Sequence, residues 1–515
     1  MQNIPSRVFV FALILLCFIT RLPQLLSPNL LLDGDECILG LMTKHLAEGK
    51  ELSVYFYGQN YGFSFIETAF GAISFKLFGV NAIALRASLL LLWSIGIAFI
   101  FLSFIQLTTK KNAFFIALLM ILIPAWAIGS MKARGGYITA FTLTSIIFYF
   151  LFKAKESPSI ILSIVIGALT YLVYICRPFW IPGLIPVYFY IFLWKKNFKP
   201  LLFLISGSLI FFFIFNFLIP KPYIFWQPKI LFNGNYFDLI KDIPSRIYYN
   251  MTGSYELDRN IPLGFFDKIS SYFWDGILIL LFVLQCIRII TKNYLAWSSV
   301  FCLSVLFILA YTPLFSGNYG ARYLLPYSQF LVLWSGIEIF AGTRWLLTIL
   351  KQAKVLKTDK FLKAPAKFFQ CIFIITCALS CMALITFKDF NIMTPVKNDK
   401  SEQQRIMEDI NYLKKNGVEN VFSLDANLQW QLMFYSNEDI ICRHFFDDDR
   451  YPAYPKAVDL AMNEGKPTAL AGFSEYTFKL DKNPVVSQEM IYIGDRYFVI
   501  LHPTKDFLKS MFFNF

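Results

Sequence analysis

Asp33-Gly34-Asp35-Glu36 places three carboxylates within four residues, shortly after the first long apolar run of the chain. Carboxylates this close repel and raise one another's proton affinity unless a cation or a donor offsets them. Two chemistries use such a cluster. A general base needs a carboxylate held beside a reacting hydroxyl or amine, and a divalent cation needs oxygen ligands at short spacing, for which Asp33 and Asp35 are the candidates. A solvated acidic loop is the bland alternative. Further on, Tyr55-Phe56-Tyr57-Gly58-Gln59-Asn60-Tyr61-Gly62 and then Glu67 follow. Tyr57 and Tyr61 offer rings that stack on sugars, and Gln59 and Asn60 offer amides that bond hydroxyls. An interfacial aromatic belt is the competing reading.

The elements that carry these residues are membrane helices. Of 515 residues, 57% are hydrophobic and 16% charged, and 57 are Phe. Mean hydropathy is +0.55. A soluble chain cannot bury that much apolar surface in one or two cores, and the same surplus excludes disorder. Apolar runs of about 20 residues recur, the pattern of a polytopic helical membrane protein rather than a barrel. Eleven spans are expected, near 8–25, 82–107, 112–130, 137–152, 159–176, 179–194, 200–219, 276–291, 295–314, 324–343 and 368–387. The first, which has no small-residue cleavage site after it, reads as an uncleaved anchor.

Net charge is +13. Residues 388–515 hold 15 basic and 19 acidic residues, so the basic excess lies in residues 1–387. There it sits beside apolar runs, where the positive-inside rule expects it, and not on a polar nucleic-acid-binding domain. With the N-terminus in the cytoplasm, every inner loop is basic: Lys110-Lys111, Lys153 with Lys155, Lys195 to Lys199, Arg288 with Lys292, and the run Lys351–Lys367. The outer pieces are then 26–81, 220–275, the short loops Met131–Gly136 and Ser316–Arg322, and the tail 388–515. The tail reads as a small α/β domain. Helices are expected at 401–416, 427–435 and 453–464, strands at 418–424, 439–443 and 468–472, and a closing hairpin of 488–493 with 496–501 about Gly494-Asp495.

Other features carry less. Most of the nine cysteines lie in apolar runs and read as small buried hydrophobes. His444 with Asp447, Asp448 and Asp449 can be read as a metal site or, more simply, as an acidic turn. Glu338, inside an apolar run, reads as a locally paired or snorkelling carboxylate. No P-loop, dinucleotide motif or Cys-x-x-Cys pair is present.

The order of motifs resembles the GT-C superfamily of membrane glycosyltransferases, in particular the glycosyltransferase family 39 type, which includes protein O-mannosyltransferases and the lipid A aminoarabinose transferase. The residues that carry the resemblance are Asp35-Glu36, Tyr57-Gly58 through Tyr61-Gly62, Leu77-Phe78-Gly79, Ala84-Leu85-Arg86, Lys132-Ala133-Arg134-Gly135-Gly136-Tyr137 and Arg322-Tyr323-Leu324-Leu325-Pro326. They span roughly residues 1–350. Gln59-Asn60 stands where eukaryotic mannosyltransferases carry a proline-histidine pair, which speaks against protein mannosylation.

The resemblance implies transfer of a sugar from a polyprenyl-phosphate carrier, with inversion, to an outer-face lipid, polysaccharide or protein. It implies Asp35 as the base, Glu36 steadying the loop or an acceptor group, and Asp33 assisting or holding a cation. The phosphate leaving group needs positive charge at the membrane boundary. Lys132, Arg134 and Arg322, with Arg259 in the long loop, are the candidates, and Tyr137 and Tyr323 stand beside them. No cofactor is implied beyond a possible divalent cation, and no nucleic acid. The tail type suggests a bacterial inner membrane. The rival readings are a flippase for a lipid-linked glycan and a membrane partner that has lost activity. A flippase is expected to show internal repeats and polar residues midway through its spans, and the inactive partner to have lost Asp35 and Glu36.

Overall fold

The computed structural model describes residues 4–50, 52–154, 157–220, 222–224, 240–253, 264–292, 295–316, 321–339, 359–386, 399–445, 449–476 and 489–514. Arg259, Asp447 and Asp448 lie outside them. Among the described residues a helix lies in each of the eleven segments read as spans, though not over the full length of each: α1 (Ser6–Leu25), α4 (Ala82–Phe104), α5 (Lys110–Leu122), α6 (Tyr137–Lys153), α7 (Ile160–Cys176), α8 (Ile181–Tyr188), α9 (Phe198–Phe213), α11 (Phe265–Ile290), α12 (Ala296–Ser316), α13 (Leu325–Ile337) and α14 (Asp359–Thr386). Five of them, α1, α4, α9 continued to Leu218, α11 and α12, are long and apolar enough on their own to cross a bilayer. Phe11, Phe213, Phe217, Ile279 and Ile290 point outward from these helices, an apolar surface suited to lipid. The protein is an integral membrane protein, mostly helical, with a small sheet at its C-terminal end.

Two spans differ from expectation for physical reasons. The segment 112–130 is not one helix, because α5 stops at Leu122 before Pro124, and a residue preceding proline is pushed out of the helical region. The buried stretch that follows, a 3-10 turn over Pro124–Trp126 and then irregular backbone, is held by Arg21 of α1. It donates to the Ile121 carbonyl at 2.7 Å, the Trp126 carbonyl at 3.2 Å and Ser130 Oγ at 3.2 Å. Irregular backbone inside a bundle persists only where its polar groups find such partners. Second, α11 begins at Phe265, so the outer loop expected over 220–275 is shorter. It contains the short helix α10 (Ile243–Met251), which packs against the turn Ala321–Leu324 through Asn250 Nδ2 donating to the Ala321 carbonyl at 3.1 Å.

Between α1 and α4 lie α2 (Gly34–Glu48) and α3 (Phe65–Phe78), at one end of the bundle. The tail folds over that end. It comprises α15 (Glu402–Lys415), β1 (Asn420–Ser423), α16 (Ala426–Tyr435), β2 (Ile441–Arg443), α17 (Ala453–Asn463), β3 (Thr468–Phe473), β4 (Ile491–Ile493), β5 (Tyr497–Leu501) and α18 (Lys505–Ser510). The sheet order is β2-β1-β3-β5-β4, with β1 parallel to β2 and β3, and β5 antiparallel to β3 and β4. Phe422, Leu470, Phe498 and Ile500 pack with Phe507 and Leu508 in a core of the tail's own. Val421, Ala469, Val499 and the inner face of α16 join the core of the bundle.

The tail is latched to α2. Gly40 leaves room for the Phe434 ring, since a Cβ there would sit 2.4 Å from it. Leu32 N donates to Tyr435 Oη at 3.0 Å, and Gln431 Nε2 to the Leu32 carbonyl at 2.8 Å. Glu438 receives Lys44, His45 Nε2 at 3.0 Å and Tyr454 Oη at 2.7 Å. Burial alone would raise the Glu438 carboxyl, but hydrogen bonds from His45, Lys44 and Tyr454 hold it at about 2. A carboxyl lowered in this way contributes docking stability that is full above the ordinary value of about 4.3 and is lost as pH falls through about 2. The opening free energy of α2 and α16, from hydrogen exchange corrected for intrinsic rates, should therefore lose the Glu438 contribution only below about pH 4. Glu438→Gln should loosen both helices at pH 7 by about 1–3 kcal/mol and remove the acid-dependent part of their loosening.

Candidate active site

Asp33 ends the segment before α2 in extended backbone and caps it: its Oδ1 accepts from Glu36 N at 3.0 Å, while Glu36 Oε2 accepts from Asp33 N at 3.2 Å. This reciprocal box fixes the helix start. It also turns Asp35 and Glu36 to different sides. Glu36 points down into the bundle, fully buried, where Arg86 of α4 meets it in a two-pronged pair, Nε to Oε1 at 3.0 Å and Nη2 to Oε2 at 2.7 Å. The backbone N–H of Ala133 approaches the same carboxylate at 3.5 Å, and Lys132 Nζ lies 3.7 Å away. Glu36 thus ties α2, α4 and the loop 131–136 together and presents no oxygen to an incoming substrate.

That loop brings two cations to the acids. Lys132 Nζ lies 2.8 Å from Asp33 Oδ2, and Arg134 bridges Asp33 Oδ2 at 2.7 Å and Asp35 Oδ2 at 3.0 Å. Burial works to raise the Asp33 carboxyl, but Arg134 and Lys132 hold it well below the usual range. Both Asp33 oxygens are engaged. Among the described residues Asp35 Oδ1 has only Arg450 within ion-pair reach, at 3.8 Å, which leaves it the more available oxygen of the cluster. The loop's sharp exit into α6 needs Gly136, which has φ +94° and whose Cβ would lie 2.9 Å from the Cys176 carbonyl. Glu67 of α3 then caps α6, accepting from Gly136 N at 2.9 Å and Thr139 N at 3.3 Å. Burial raises its carboxyl in spite of those donors.

Asp35 faces a chamber of about 230 Å³ lined also by Arg134, Arg177, Arg322 and Arg450 and by the phenols of Tyr61, Tyr137 and Tyr323. Arg177, at the end of α7, donates to the Arg134 carbonyl and lies 4.2 Å over the Tyr137 ring. Arg322 lies 5.0 Å over Tyr323, whose ring packs on Phe179. Arg450 comes from the tail and passes 5.4 Å over Phe56. Burial pushes the Tyr61 phenol up to about 12 against the pull of Arg177 and Arg450, so it remains a hydrogen-bond donor. Four guanidinium groups around one carboxylate form an anion site of the kind that holds a phosphate.

Of the residues singled out from the sequence, Asp33, Asp35, Lys132, Arg134, Tyr61, Tyr137, Arg322 and Tyr323 converge here. Tyr57 and Gln59 are buried away from the chamber: Tyr57 Oη bonds His45 Nδ1 at 2.8 Å and its ring stacks on Tyr451, in the tail latch. Asn60 points to solvent. Glu338 pairs with Arg288 at 2.7 Å and bonds Ser298 near the opposite end of the bundle. His444 packs on Phe445. Among the described residues no three His, Cys, Asp or Glu side chains converge on an ion position, and the carboxylates expected as cation ligands, Asp33 and Asp35, direct oxygens at Lys132 and Arg134 instead. Arg177 and Arg450 were not anticipated. Arg177 carried a signal, an arginine at the expected outer end of a span, where the positive-inside rule makes it unusual. Arg450 carried none, because only the tail's docking brings it near Asp35.

The site is thus made by a helical bundle with acids at the N-terminus of α2, a basic chamber beside them and an α/β tail folded over both. Among solved structures the chain is similar to ArnT from Cupriavidus metallidurans bound to undecaprenyl phosphate, at 11% identity and a TM-score of 0.57 over 97% of this chain and 98% of that one. The same protein in its apo state matches at 12% identity and a TM-score of 0.57, over 99% and 98% of the two chains. The Archaeoglobus fulgidus oligosaccharyltransferase tethered with an acceptor peptide matches at 13% identity and a TM-score of 0.50, over 92% of this chain and 69% of that one. These likenesses are of fold. No protein-family model and no curated protein matches the sequence.

Removing one partner of a buried ion pair leaves a bare charge and costs about 3–5 kcal/mol. Arg86→Met and Glu36→Leu should each lower the stability of the detergent-solubilised protein by that order in thermal unfolding. The double variant should lose distinctly less than the sum. Additive losses would show that the two side chains do not act as a pair.

Proposed function

We propose that the protein is an inverting membrane glycosyltransferase that uses a polyprenyl-phosphate-linked sugar as donor. The observation that carries this reading is the chamber in which four arginines surround Asp35. The carrier's phosphate sits among Arg134, Arg177, Arg322 and Arg450, and its apolar tail runs along the lipid-facing surface of the bundle. Asp35 accepts the proton of an acceptor hydroxyl or amine as that atom attacks the anomeric carbon from the face opposite the phosphate. The bond from that carbon to the phosphate oxygen breaks, and the electron pair stays on the departing polyprenyl phosphate. The guanidinium groups meet the charge that develops there, and Tyr61 supplies a further donor. Asp33, itself paired with Lys132, holds Arg134 in place, and Glu36 holds the helix that carries Asp35.

The reading includes eleven crossings, an N-terminus on the cytoplasmic side of a bacterial inner membrane, and chemistry on the outer face, where the charge pattern puts α2 and the tail. A flippase reading gains nothing from the structure. Among the described residues, Arg21 and the pair Arg288–Glu338 inside the bundle are tied to fixed partners.

The test is transfer from a panel of radiolabelled polyprenyl-phosphate sugars by purified protein in nanodiscs, with undecaprenyl phosphate binding measured beside it. Removing one charge-stabilising donor costs about 100- to 1,000-fold in rate. Arg177→Ala and Arg322→Ala should each lose transfer on that scale and bind undecaprenyl phosphate more weakly. Undiminished binding and transfer in both variants would take the phosphate out of this chamber.

A further inference from the structure

Two short segments join the four-arginine chamber to the latch that holds the tail. Residues 449–454 of the tail form one. Asp449 is anchored to α16 by Gln429 and accepts from Arg450 N at 2.6 Å. Arg450 then enters the chamber. The next residue, Tyr451, stacks on Tyr57 at 4.8 Å and lies 5.6 Å from the His45 ring. Tyr454 packs on Tyr451 at 4.7 Å and donates to Glu438 at 2.7 Å. Residues 56–61 form the other segment. Phe56 lies under the Arg450 guanidinium, Tyr57 belongs to the latch, and Tyr61 lines the chamber. A turn connects them, with Gln59 N donating to the Phe56 carbonyl at 3.1 Å, and Gly62 N donating to the Ile175 carbonyl at 2.9 Å ties that turn to α7.

Arg450 differs from the other chamber arginines in what carries it. Arg134, Arg177 and Arg322 belong to the bundle, whereas Arg450 arrives only with the tail. Among the described residues its ion-pair contact is Asp35 Oδ1 at 3.8 Å, beyond hydrogen-bond distance. A phosphate in the chamber gains a charge-assisted contact from Arg450 only while residues 449–454 are seated. A ligand that binds one state more tightly shifts the equilibrium toward it, and the coupling is reciprocal. The lever is short, because Arg450 in the chamber and Tyr451 in the latch are adjacent in the chain. Opening the latch therefore withdraws a charge from the chamber, and filling the chamber holds the latch shut.

We propose that residues 449–454 are a strap that couples the donor's phosphate to the docking of the tail: a loaded chamber clamps the tail onto the bundle, and departure of the phosphate loosens it. The proposal rests on the donor reading above, and its test separates the two. Hydrogen exchange of the full-length protein in nanodiscs is measured at pH 7 with and without saturating undecaprenyl phosphate, beside binding of the lipid itself. Exchange is read in α17, into which the strap runs, and in the loop 131–136, which carries Arg134 on the bundle's side of the chamber. In the wild type the lipid should protect both, lowering the opening constant of α17 about tenfold or more. Arg450→Ala keeps the three bundle arginines, so saturating lipid should still protect the loop 131–136 but no longer α17. Arg450→Lys keeps the charge and should keep part of the protection of α17. Glu438→Gln should raise the opening of α17 without lipid and leave the fold protection by lipid unchanged. Lipid that binds and protects the loop 131–136 but leaves α17 unchanged, or protects α17 equally in Arg450→Ala, would overturn the coupling and leave the donor reading standing. Failure of the lipid to bind the wild type would remove the donor reading, and the coupling with it.

Discussion

The arrangement depends on one buried ion pair. Glu36 and Arg86 are almost without solvent exposure, and neither is tolerable there alone. Their pairing joins the N-terminus of α2 to α4, and the reach of Ala133 N and Lys132 to the same carboxylate joins both to the loop that carries Arg134. A charge placed on a short helix N-terminus is otherwise free to rotate with it. Here Asp33 and Asp35 are aimed because the next acid along the chain is anchored below them. The Asp-Glu pair thus divides its labour by depth: Asp35 faces the chamber, and Glu36 faces the core.

Arg134 is the other hinge of the arrangement. A single guanidinium bridges Asp33 and Asp35 and lines the chamber. Its position is set from several directions. Arg21 ties the irregular stretch before it to α1, Glu67 caps the helix after it, and Arg177 holds its carbonyl. The tail closes the assembly. Docking through Glu438 brings Arg450 to within 3.8 Å of Asp35, so a domain distant in sequence supplies charge to the chamber.

Much of this was legible in the sequence wherever the signal was local. Apolar length marked the helices, short apolar runs between turn residues marked the tail strands, and the clustered acids and the Lys-Ala-Arg-Gly-Gly loop were each marked without any sign that they meet. The break before Pro124 was missed, because the apolar run continues through it. What was not legible depended on contacts between distant segments. Tyr57 and Gln59 have the residue types of a sugar site, yet the fold spends Tyr57 on the tail latch and buries Gln59. Glu36 has the type of a catalytic acid, and only the position of Arg86 one helix away shows its carboxylate to be enclosed. Arg450 sits in an acidic turn with no distinguishing pattern, since its role exists only once the tail is docked.

The central claim is that Asp35 takes the acceptor's proton. The most direct measurement is single-turnover transfer from a polyprenyl-phosphate sugar by wild type and Asp35→Asn in nanodiscs, with undecaprenyl phosphate binding recorded for both. A positioned general base contributes about 10²- to 10⁴-fold. The account predicts a loss of transfer on that scale in a variant that still binds the lipid phosphate. Transfer by Asp35→Asn at the wild-type rate would contradict it.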